Sequence, residues 1–226
     1  MTKKITDAVI LAAGSGKRFK KTLPKQFIKI FNKSSIEISI EKLLKVNSIR
    51  NIYLTINKKH ESLVKKLSKE IKIINGGRTR AISVLKSLDF INSQPLRPHN
   101  VLIHDAVRPC VSDHDIKKIM NNANTLATGI ALGYPLTHAL KIVNTKMNVI
   151  DNVDKKDMWL AFTPQLFNFK KIYNSYKKVV ESKLKIDDDI QAMSFLSYKV
   201  NLLFSSYKNI KLTYLDDIDV IKNLLR

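Results

Sequence analysis

Apolar runs of strand length alternate along this sequence with amphipathic segments of helix length. The strand-like runs are Ala8–Leu11, Ile52–Ile56, Ile71–Ile74, Val101–His104, Gly129–Leu132 and Val200–Phe204. The helix-like segments are Ser35–Lys45, His60–Lys69, Thr79–Phe90, Asp113–Asn122, Phe167–Val180 and Asp216–Leu225. This alternation predicts a Rossmann-like α/β fold with a mostly parallel sheet and helices on both faces. In such folds, ligands bind at the carboxyl ends of the strands.

The size and composition fit one domain. The chain has 226 residues, of which 44% are apolar, which is enough for a full core. The sequence contains no run of 18 uncharged apolar residues, so we expect no membrane span. Cys110 is the single cysteine. It permits no internal disulfide, and we therefore expect a cytoplasmic protein.

The formal net charge is +21, and most of the basic residues are lysines scattered along the chain. A charge of this size fits polyanionic partners, so a basic nucleic-acid-binding protein is one hypothesis. Aromatic and basic residues do not interleave on any one predicted strand, which counts against that hypothesis. Anionic small substrates also need a positive field, so the charge alone does not exclude an enzyme.

The segment Leu11–Phe27, LAAGSGKRFKKTLPKQF, follows the first predicted strand. Gly14 and Gly16 permit a sharp turn and close approach of the backbone to a ligand. Arg18 and Lys25 supply cations beside these exposed N–H groups. Backbone donors and cations at the end of a strand suit a polyphosphate.

The order of residues in this loop excludes two common phosphate-binding motifs. A Walker loop needs Ser or Thr after its Gly-Lys pair, whereas Arg18 follows Gly16-Lys17 here. A dinucleotide fingerprint needs a third glycine at the position of Phe19. The loop therefore indicates neither a P-loop ATPase nor a nicotinamide-dependent enzyme.

A second glycine-rich segment, GGRTRAISV, joins the third predicted strand to a helix. Gly76 and Gly77 permit close backbone approach at the helix N-terminus, and Ser83 can present a hydroxyl from the first turn. The segment suits the edge of a base or a phosphate. It equally fits an ordinary strand-to-helix turn capped by Thr79.

The segment IHDAVRP ends the fourth predicted strand. Asp105 can hold a divalent cation, because Mg²⁺ takes one or two protein carboxylates and fills its shell with phosphate oxygens and water. Arg108 can fork to a second anion. The alternative is a structural ion pair between Asp105 and Arg108. We expect His104 to serve packing.

Residues Pro135–Trp159 lack a helical period and alternate loosely around a polar centre at Asn144–Met147. This pattern predicts a β-hairpin that projects from the domain. A projecting hairpin has few contacts of its own and needs a partner. Two further segments, Thr163–Gln165 and Asn209–Thr213, are polar islands between apolar runs.

The motifs LAAGSGKRF, PKQF, GGRTRAISV, IHDAVRP, TPQLF and NIKLT, in this order, resemble those of the 2-C-methyl-D-erythritol 4-phosphate cytidylyltransferases of the non-mevalonate isoprenoid pathway. The resemblance spans Ala8 to Leu225. It implies a single nucleotidyltransferase domain over residues 1–226, with the arm at residues 135–159 acting as a homodimerisation hairpin. The implied reaction is in-line attack of the acceptor phosphate on the α-phosphorus of CTP, which yields 4-diphosphocytidyl-2-C-methyl-D-erythritol and pyrophosphate.

The same resemblance implies roles for individual residues. Those next to the nucleotide would be Ala12, Ala13, Gly14, Gly16, Gly76, Gly77, Ser83 and Ala106. The catalytic cations would be Arg18, Lys25 and Lys211, and Asp105 would bind Mg²⁺ or another divalent cation. Arg108, Lys155 and Thr163 would contact the sugar-phosphate acceptor.

Departures from the family pattern lie on the acceptor side. His138-Ala139 stands where relatives usually have Asp-Thr, so the Thr hydroxyl that would touch the substrate phosphate is missing. Lys155 replaces the usual Arg of the arm and keeps its charge without the bidentate fork. Ribitol 5-phosphate or another polyol phosphate therefore stays open as the acceptor, as does a degenerate paralogue that binds CTP without turnover.

Overall fold

The computed structural model describes residues 3–14, 19, 23–67 and 71–226. Its strands are β1 (Thr6–Leu11), β2 (Lys29–Ile30), β3 (Lys33–Ser34), β4 (Ile49–Ile56), β5 (Ile71–Asn75), β6 (Asn100–Asp105), β7 (Gly129–Pro135), β8 (Leu140–Val143), β9 (Val149–Val153), β10 (Trp159–Asn168) and β11 (Val200–Phe204). Its α-helices are α1 (Ser35–Leu44), α2 (Arg80–Asn92), α3 (Asp113–Met120), α4 (Phe169–Glu181), α5 (Asp189–Ser194) and α6 (Asp217–Leu224).

The central sheet has seven strands in the order β11-β7-β10-β6-β1-β4-β5. β10 runs antiparallel to both of its neighbours, β6 and β7, and the other pairs are parallel. The predicted mostly parallel α/β sheet is therefore confirmed. After β5 the chain returns across β1 to form β6, so the strand order reverses beside β1. Ligands of open α/β sheets bind at such a reversal.

The sheet is covered on both faces, which explains why its central strands are apolar throughout. Along β1, Ala8 and Ile10 pack into the cluster that contains residues of α1 and α3. Val9, between them, faces the opposite cluster, which contains residues of α2, α4 and α5. A third, smaller cluster joins α6 to Phe19 and Val107 next to the loops.

One predicted helix is wrong. The segment His60–Lys69 was expected to be an α-helix, but residues 58–63 form a 3-10 helix, and residues 68–70 lie outside the described part of the chain. The Asn57 side chain accepts a hydrogen bond from the Lys59 N–H at its start. None of the residues in this 3-10 helix is buried. Without an apolar face to pack, helix formation has little to stabilise it.

The short paired strands β2 and β3 were not predicted, and neither were β10 and α5. β10 is the strand that lies between β6 and β7, and it includes Phe167, which we expected to begin a helix. The helix α4 starts later, at Phe169, because the side chain of Asn168 accepts a hydrogen bond from the Lys171 N–H and caps it. The short helix α5 was also missed. It matters for the site, because it carries Asp189.

The predicted hairpin is present. β8 and β9 pair antiparallel as a separate two-stranded sheet between β7 and β10. Its apolar side chains are largely exposed, with Met147 at 76% and Ile150 at 62%. Within the described residues, no helix has the length and apolar character needed to cross a membrane.

Candidate active site

A cleft of roughly 490 Å³ opens at the carboxyl ends of the strands beside the reversal in strand order. Its walls come from segments that follow β1, β4, β5 and β6 and from the segment after β11. The lining residues are Leu11, Ala12, Ala13, Gly14, Lys25, Gln26, Asn57, Gly77, Arg78, Thr79, Arg80, Ser83, Asp105, Val107, Lys211 and Thr213. The sequence motifs from distant parts of the chain thus meet in one place.

The loop after β1 is fixed by hydrogen bonds to neighbouring segments. The Ala12 N–H donates to the Thr55 carbonyl at 2.8 Å. The buried Gln26 side chain donates from Nε2 to the carbonyls of Ala12 at 2.7 Å and Gly14 at 3.1 Å. Lys25, next to Gln26, lines the cleft. These contacts hold residues 12–14 in place, which leaves the opposite side of the loop for a ligand.

Two residues predicted for this loop, Gly16 and Arg18, lie outside the described residues. Gln26 was not singled out from the sequence. Its signal was its place in the PKQF motif, where a buried amide next to a glycine loop can satisfy backbone carbonyls. The structure assigns it that task.

The loop after β5 packs directly on the loop after β1. A Cβ added to Gly76 would lie 2.4 Å from the Ala13 Cβ and 3.2 Å from the Ser83 Oγ, so only glycine fits there. The Gly77 N–H donates to the Ser83 Oγ at 3.0 Å, and this hydroxyl donates to the Thr79 carbonyl at 2.8 Å. Thr79 also caps α2 by accepting from the Ile82 N–H. The structural interpretation of this segment as a capped turn is thus confirmed, and the same turn lines the cleft.

Asp105 is the carboxylate at the centre of the charged wall. Its Oδ2 accepts a hydrogen bond from the Lys211 Nζ at 2.6 Å, and its Oδ1 lies 3.6 Å from the Arg80 guanidinium. Burial alone would raise the pKa of this carboxyl, but the charges of Arg80, Lys211 and Arg108 outweigh it and hold the pKa well below its usual range. Asp105 is therefore ionised at neutral pH.

The alternative ion pair between Asp105 and Arg108 is not formed, since the ion partners of Asp105 within the described residues are Lys211 and Arg80. The Arg108 guanidinium donates instead to the Asn209 carbonyl at 2.7 Å and stacks over the Phe162 ring, 5.1 Å from its centroid. Arg108 is 9% exposed. Because no ion pair holds Arg108 within the described residues, its charge is available to attract an anion.

Two arginines that line the cleft, Arg78 and Arg80, were not predicted from the sequence, and Arg80 is the one next to Asp105. It makes a bidentate ion pair with Asp189 of α5, at 2.8 and 2.7 Å, and also donates to the Tyr176 hydroxyl. Tyr176 in turn donates to Asp189. Burial alone would lower the pKa of the Arg80 guanidinium, but Asp189, Tyr176 and Asp105 reverse this and raise it. Arg80 is thus a permanent positive charge that is anchored away from the cleft and reaches Asp105.

Five predicted site residues are not among the described residues that line the cleft: Gly76, Ala106, Arg108, Lys155 and Thr163. Ala106 is fully buried, and its carbonyl accepts hydrogen bonds from Ser35 and Ser39 of α1 rather than facing the cleft. The Thr163 hydroxyl lies behind the cleft and accepts from the Asp105 N–H at 3.0 Å. Lys155 is on the arm, where its Nζ donates to the Thr137 carbonyl. Neither Thr163 nor Lys155 is among the residues that line the cleft of this chain in its described part.

His104 packs in the core, as expected. It is fully buried, and its Nδ1 lies 3.2 Å from the Thr163 hydroxyl. Burial lowers the pKa of its imidazole to about 4, against the weaker opposing effect of Asp105. His104 is therefore neutral at physiological pH.

A mostly parallel sheet with a glycine loop, convergent cations and, among the described residues that line the cleft, one acidic side chain at the reversal point is typical of a nucleotidyltransferase. The model of the IspD family, 2-C-methyl-D-erythritol 4-phosphate cytidylyltransferase, matches residues 6–226. The chain belongs to this family, and the predicted family resemblance is confirmed.

Curated relatives and solved structures agree with this assignment. The 2-C-methyl-D-erythritol 4-phosphate cytidylyltransferase of Wigglesworthia glossinidia brevipalpis is 37% identical over 92% of this chain and 90% of its own length. The enzyme of the same name from Buchnera aphidicola subsp. Acyrthosiphon pisum is 34% identical over 93% of this chain and 89% of its own length. The crystal structure of 4-diphosphocytidyl-2C-methyl-D-erythritol synthase from Anaerococcus prevotii has a TM-score of 0.82 at 28% identity, with 99% of this chain and 96% of that chain covered.

Proposed function

We propose that this protein catalyses transfer of the cytidylyl group of CTP to 2-C-methyl-D-erythritol 4-phosphate, with release of pyrophosphate. The observation that carries the proposal is the cleft at the end of β6, which Lys25 lines and in which Lys211 and Arg80 engage the ionised Asp105. Membership of the family supports the same reaction. The cleft has the cations that two phosphorylated substrates need and a glycine loop that permits close approach.

The reaction needs no general base. The second pKa of a phosphate monoester is about 6, so the acceptor phosphate is largely dianionic at neutral pH. Its oxygen attacks the α-phosphorus of CTP in line with the departing pyrophosphate oxygen. One P–O bond forms, the bond between the α-phosphorus and the bridging oxygen breaks, and pyrophosphate leaves with the electron pair. The protein's task is to position two anions and to stabilise charge that develops on the α-phosphate.

Cations carry that task in this proposal. Lys25 and Arg18 act on the triphosphate from the loop after β1. Lys211 stands on the opposite wall, with its Nζ on Asp105, where it can contact the attacking phosphate. The backbone of residues 12–14, Gly16 and the Gly76–Gly77 turn holds the phosphates, the cytosine and the ribose. Small residues there leave carbonyl and N–H groups exposed, which favours discrimination between the amino group of cytosine and the carbonyl of uracil.

A divalent cation is part of the proposal. Asp105 is an ionised oxygen donor that lines the cleft, and Arg80 engages its Oδ1 less closely than Lys211 engages its Oδ2. Within the described residues there is no group of three or more acidic, His or Cys side chains suited to a metal. One carboxylate fits Mg²⁺ that takes its remaining ligands from phosphate oxygens and water. When bound, the ion supplies charge neutralisation on the triphosphate.

The acceptor side of the proposal involves the arm. Arg108 and Thr163 belong to one chain's acceptor region, whereas the exposed hairpin with Lys155 reaches a neighbouring subunit in a homodimer. The exposure of Met147, Val149 and Ile150 supports a partner surface. Sedimentation of the wild type against Ile150→Asp tests this, and a monomeric wild type contradicts it. We also propose that residues 1–226 act as one cytoplasmic domain, in keeping with one central sheet whose strands extend from Thr6 to Phe204 and one unpaired cysteine.

A pyrophosphate-release assay with CTP, Mg²⁺ and a panel of polyol phosphates tests the function. We expect kcat/KM for 2-C-methyl-D-erythritol 4-phosphate to exceed that for ribitol 5-phosphate by at least about tenfold. A higher value with ribitol 5-phosphate reassigns the acceptor. Tight CTP binding without turnover on any acceptor identifies a degenerate paralogue. Salt-sensitive nucleic-acid binding that survives Lys25→Ala, without turnover, identifies a nucleic-acid-binding protein.

The substitution in the arm gives this assay a second use. Ala139 lacks the hydroxyl that the family pattern has at this position. If the arm contacts the acceptor phosphate, Ala139→Thr should lower the KM for the acceptor and leave the KM for CTP unchanged. An unchanged acceptor KM removes position 139 from the acceptor site.

A further inference from the structure

The segment that carries Lys211 has no strand or helix of its own. Residues 205–213 follow β11 and precede α6. Backbone hydrogen bonds hold the segment near both ends: the Ser205 N–H donates to the Gly133 carbonyl at 2.7 Å, and the Leu212 N–H donates to the Val107 carbonyl at 2.8 Å. Between these two points, side-chain contacts to other segments help to fix the backbone that carries Lys211.

Asn209, in the middle of the segment, supplies such a contact. It is 1% exposed. Its side-chain Nδ2 donates to the Thr163 carbonyl at 3.0 Å, and its backbone carbonyl accepts from the Arg108 guanidinium at 2.7 Å, so the side-chain contact fixes the backbone that holds Arg108. One residue thus ties the β10 segment to Arg108, two positions before Lys211. A buried amide that holds separate segments in register is expensive to lose, since the partner carbonyl is left unsatisfied.

The position of Asp105 depends less on Asn209 than the positions of Arg108 and Lys211 do. Its backbone is fixed by pairing of β6 with β1, where Asp105 lies opposite Leu11. It also donates its N–H to the Thr163 hydroxyl. Removal of the Asn209 side-chain amide frees the backbone at residue 209, whose carbonyl holds Arg108. We therefore expect Lys211 and Arg108 to move more than the nucleotide side of the cleft.

We propose that Asn209 is a positioning residue that holds Arg108 and Lys211 in the arrangement that binds the acceptor phosphate. The proposal rests on the proposed function for the identity of that phosphate. It does not make Asn209 a catalytic residue, because its side-chain Nδ2 is bound to the Thr163 carbonyl and its backbone carbonyl to Arg108, and Asn209 is not among the described residues that line the cleft.

Steady-state kinetics of Asn209→Ala against Asn201→Ala test this role, since Asn201 is an exposed asparagine on β11. We expect the KM for 2-C-methyl-D-erythritol 4-phosphate to rise between about tenfold and a hundredfold, the range for a misplaced positioning group. The KM for CTP should change much less. Equal rises in both KM values, or no rise in either, overturn the proposal. If Asn209→Ala does not fold, Asn209→Ser, which keeps a shorter donor, should raise the acceptor KM by a smaller factor. An unchanged acceptor KM in Asn209→Ser would also overturn the proposal.

A second measurement separates this inference from the proposed function. The Arg108 Nε proton, observed by NMR, should exchange slowly with solvent in the wild type, because Arg108 is buried, and at least about tenfold faster in Asn209→Ala. An inactive wild type with this change in exchange contradicts the proposed function alone. An active wild type whose Arg108 exchange and acceptor KM are unaffected by Asn209→Ala contradicts the positioning role alone.

Discussion

The ion pair between Arg80 and Asp189 predicts an asymmetric loss of stability. Asp189 is 0% exposed, whereas the Arg80 side chain is 28% exposed. Breaking a buried ion pair by removal of one partner costs about 3–5 kcal/mol, because the other charge stays buried without compensation. The cost should therefore depend on which partner is removed.

The structure sets the order of the two single substitutions. Arg80→Gln leaves the buried Asp189 with the Tyr176 hydroxyl as its remaining partner in this network, so we expect the free energy of unfolding to fall by about 4 kcal/mol. Asp189→Asn leaves Arg80 partly solvated and 3.6 Å from Asp105, so we expect a loss of about 2 kcal/mol. The double variant removes both charges and should lose less than the sum of the two single variants.

Urea denaturation at pH 7, followed by circular dichroism, measures these losses. The matched control is Lys33→Gln, which breaks an ion pair of the same 2.7 Å length whose side chains are 55% and 46% exposed. It should cost less than about 1 kcal/mol. The reasoning is refuted if Asp189→Asn costs more than Arg80→Gln, or if the control costs as much as either.

Three further predictions concern single residues. Lys25→Ala should lower kcat by about two orders of magnitude or more, as for a lost electrostatic donor. The control Lys59→Ala, at an exposed lysine, should leave kcat unchanged. A kcat for Lys25→Ala within tenfold of wild type rejects Lys25 as a catalytic cation. Gly76→Ala should raise the KM for CTP by at least about tenfold, because its Cβ displaces Ala13, and an unchanged KM contradicts this. Burial lowers the pKa of His104 to about 4, so the unfolded state binds its proton first and stability falls as the pH drops from about 6.5 towards 4. His104→Gln should reduce this loss by up to about 3 kcal/mol between pH 7 and pH 4, measured by urea denaturation, and an unaltered pH dependence contradicts the burial argument.

Local patterns were sufficient for much of this protein. The apolar runs in β1, β4, β6 and β7 predicted strands near the observed places, because a strand buried on both faces has a continuous apolar sequence. The runs in β5 and β11 also predicted strands, although these two lie at the edges of the sheet and are largely not buried. The glycine motifs and Asp105 were expected at the carboxyl end of the sheet, where the structure has them. The predicted helix at His60–Lys69 was wrong because residues 60–63 bury no apolar face that could stabilise it, and Val64 enters the core only after the 3-10 helix has ended.

Long-range pairing decided the rest. β10 enters antiparallel between β6 and β7, a placement that no periodicity within residues 159–168 encodes.

By itself, the sequence determined the fold class, the family and the glycine-rich turns that follow β1 and β5, because these depend on motifs whose residues are neighbours in the chain. Only the tertiary structure decided that Arg80 is anchored by Asp189 and that Asn209 joins Thr163 to Arg108. These contacts join residues far apart along the chain. Their formation depends on which segments the folded core brings together, and neither composition nor spacing records that.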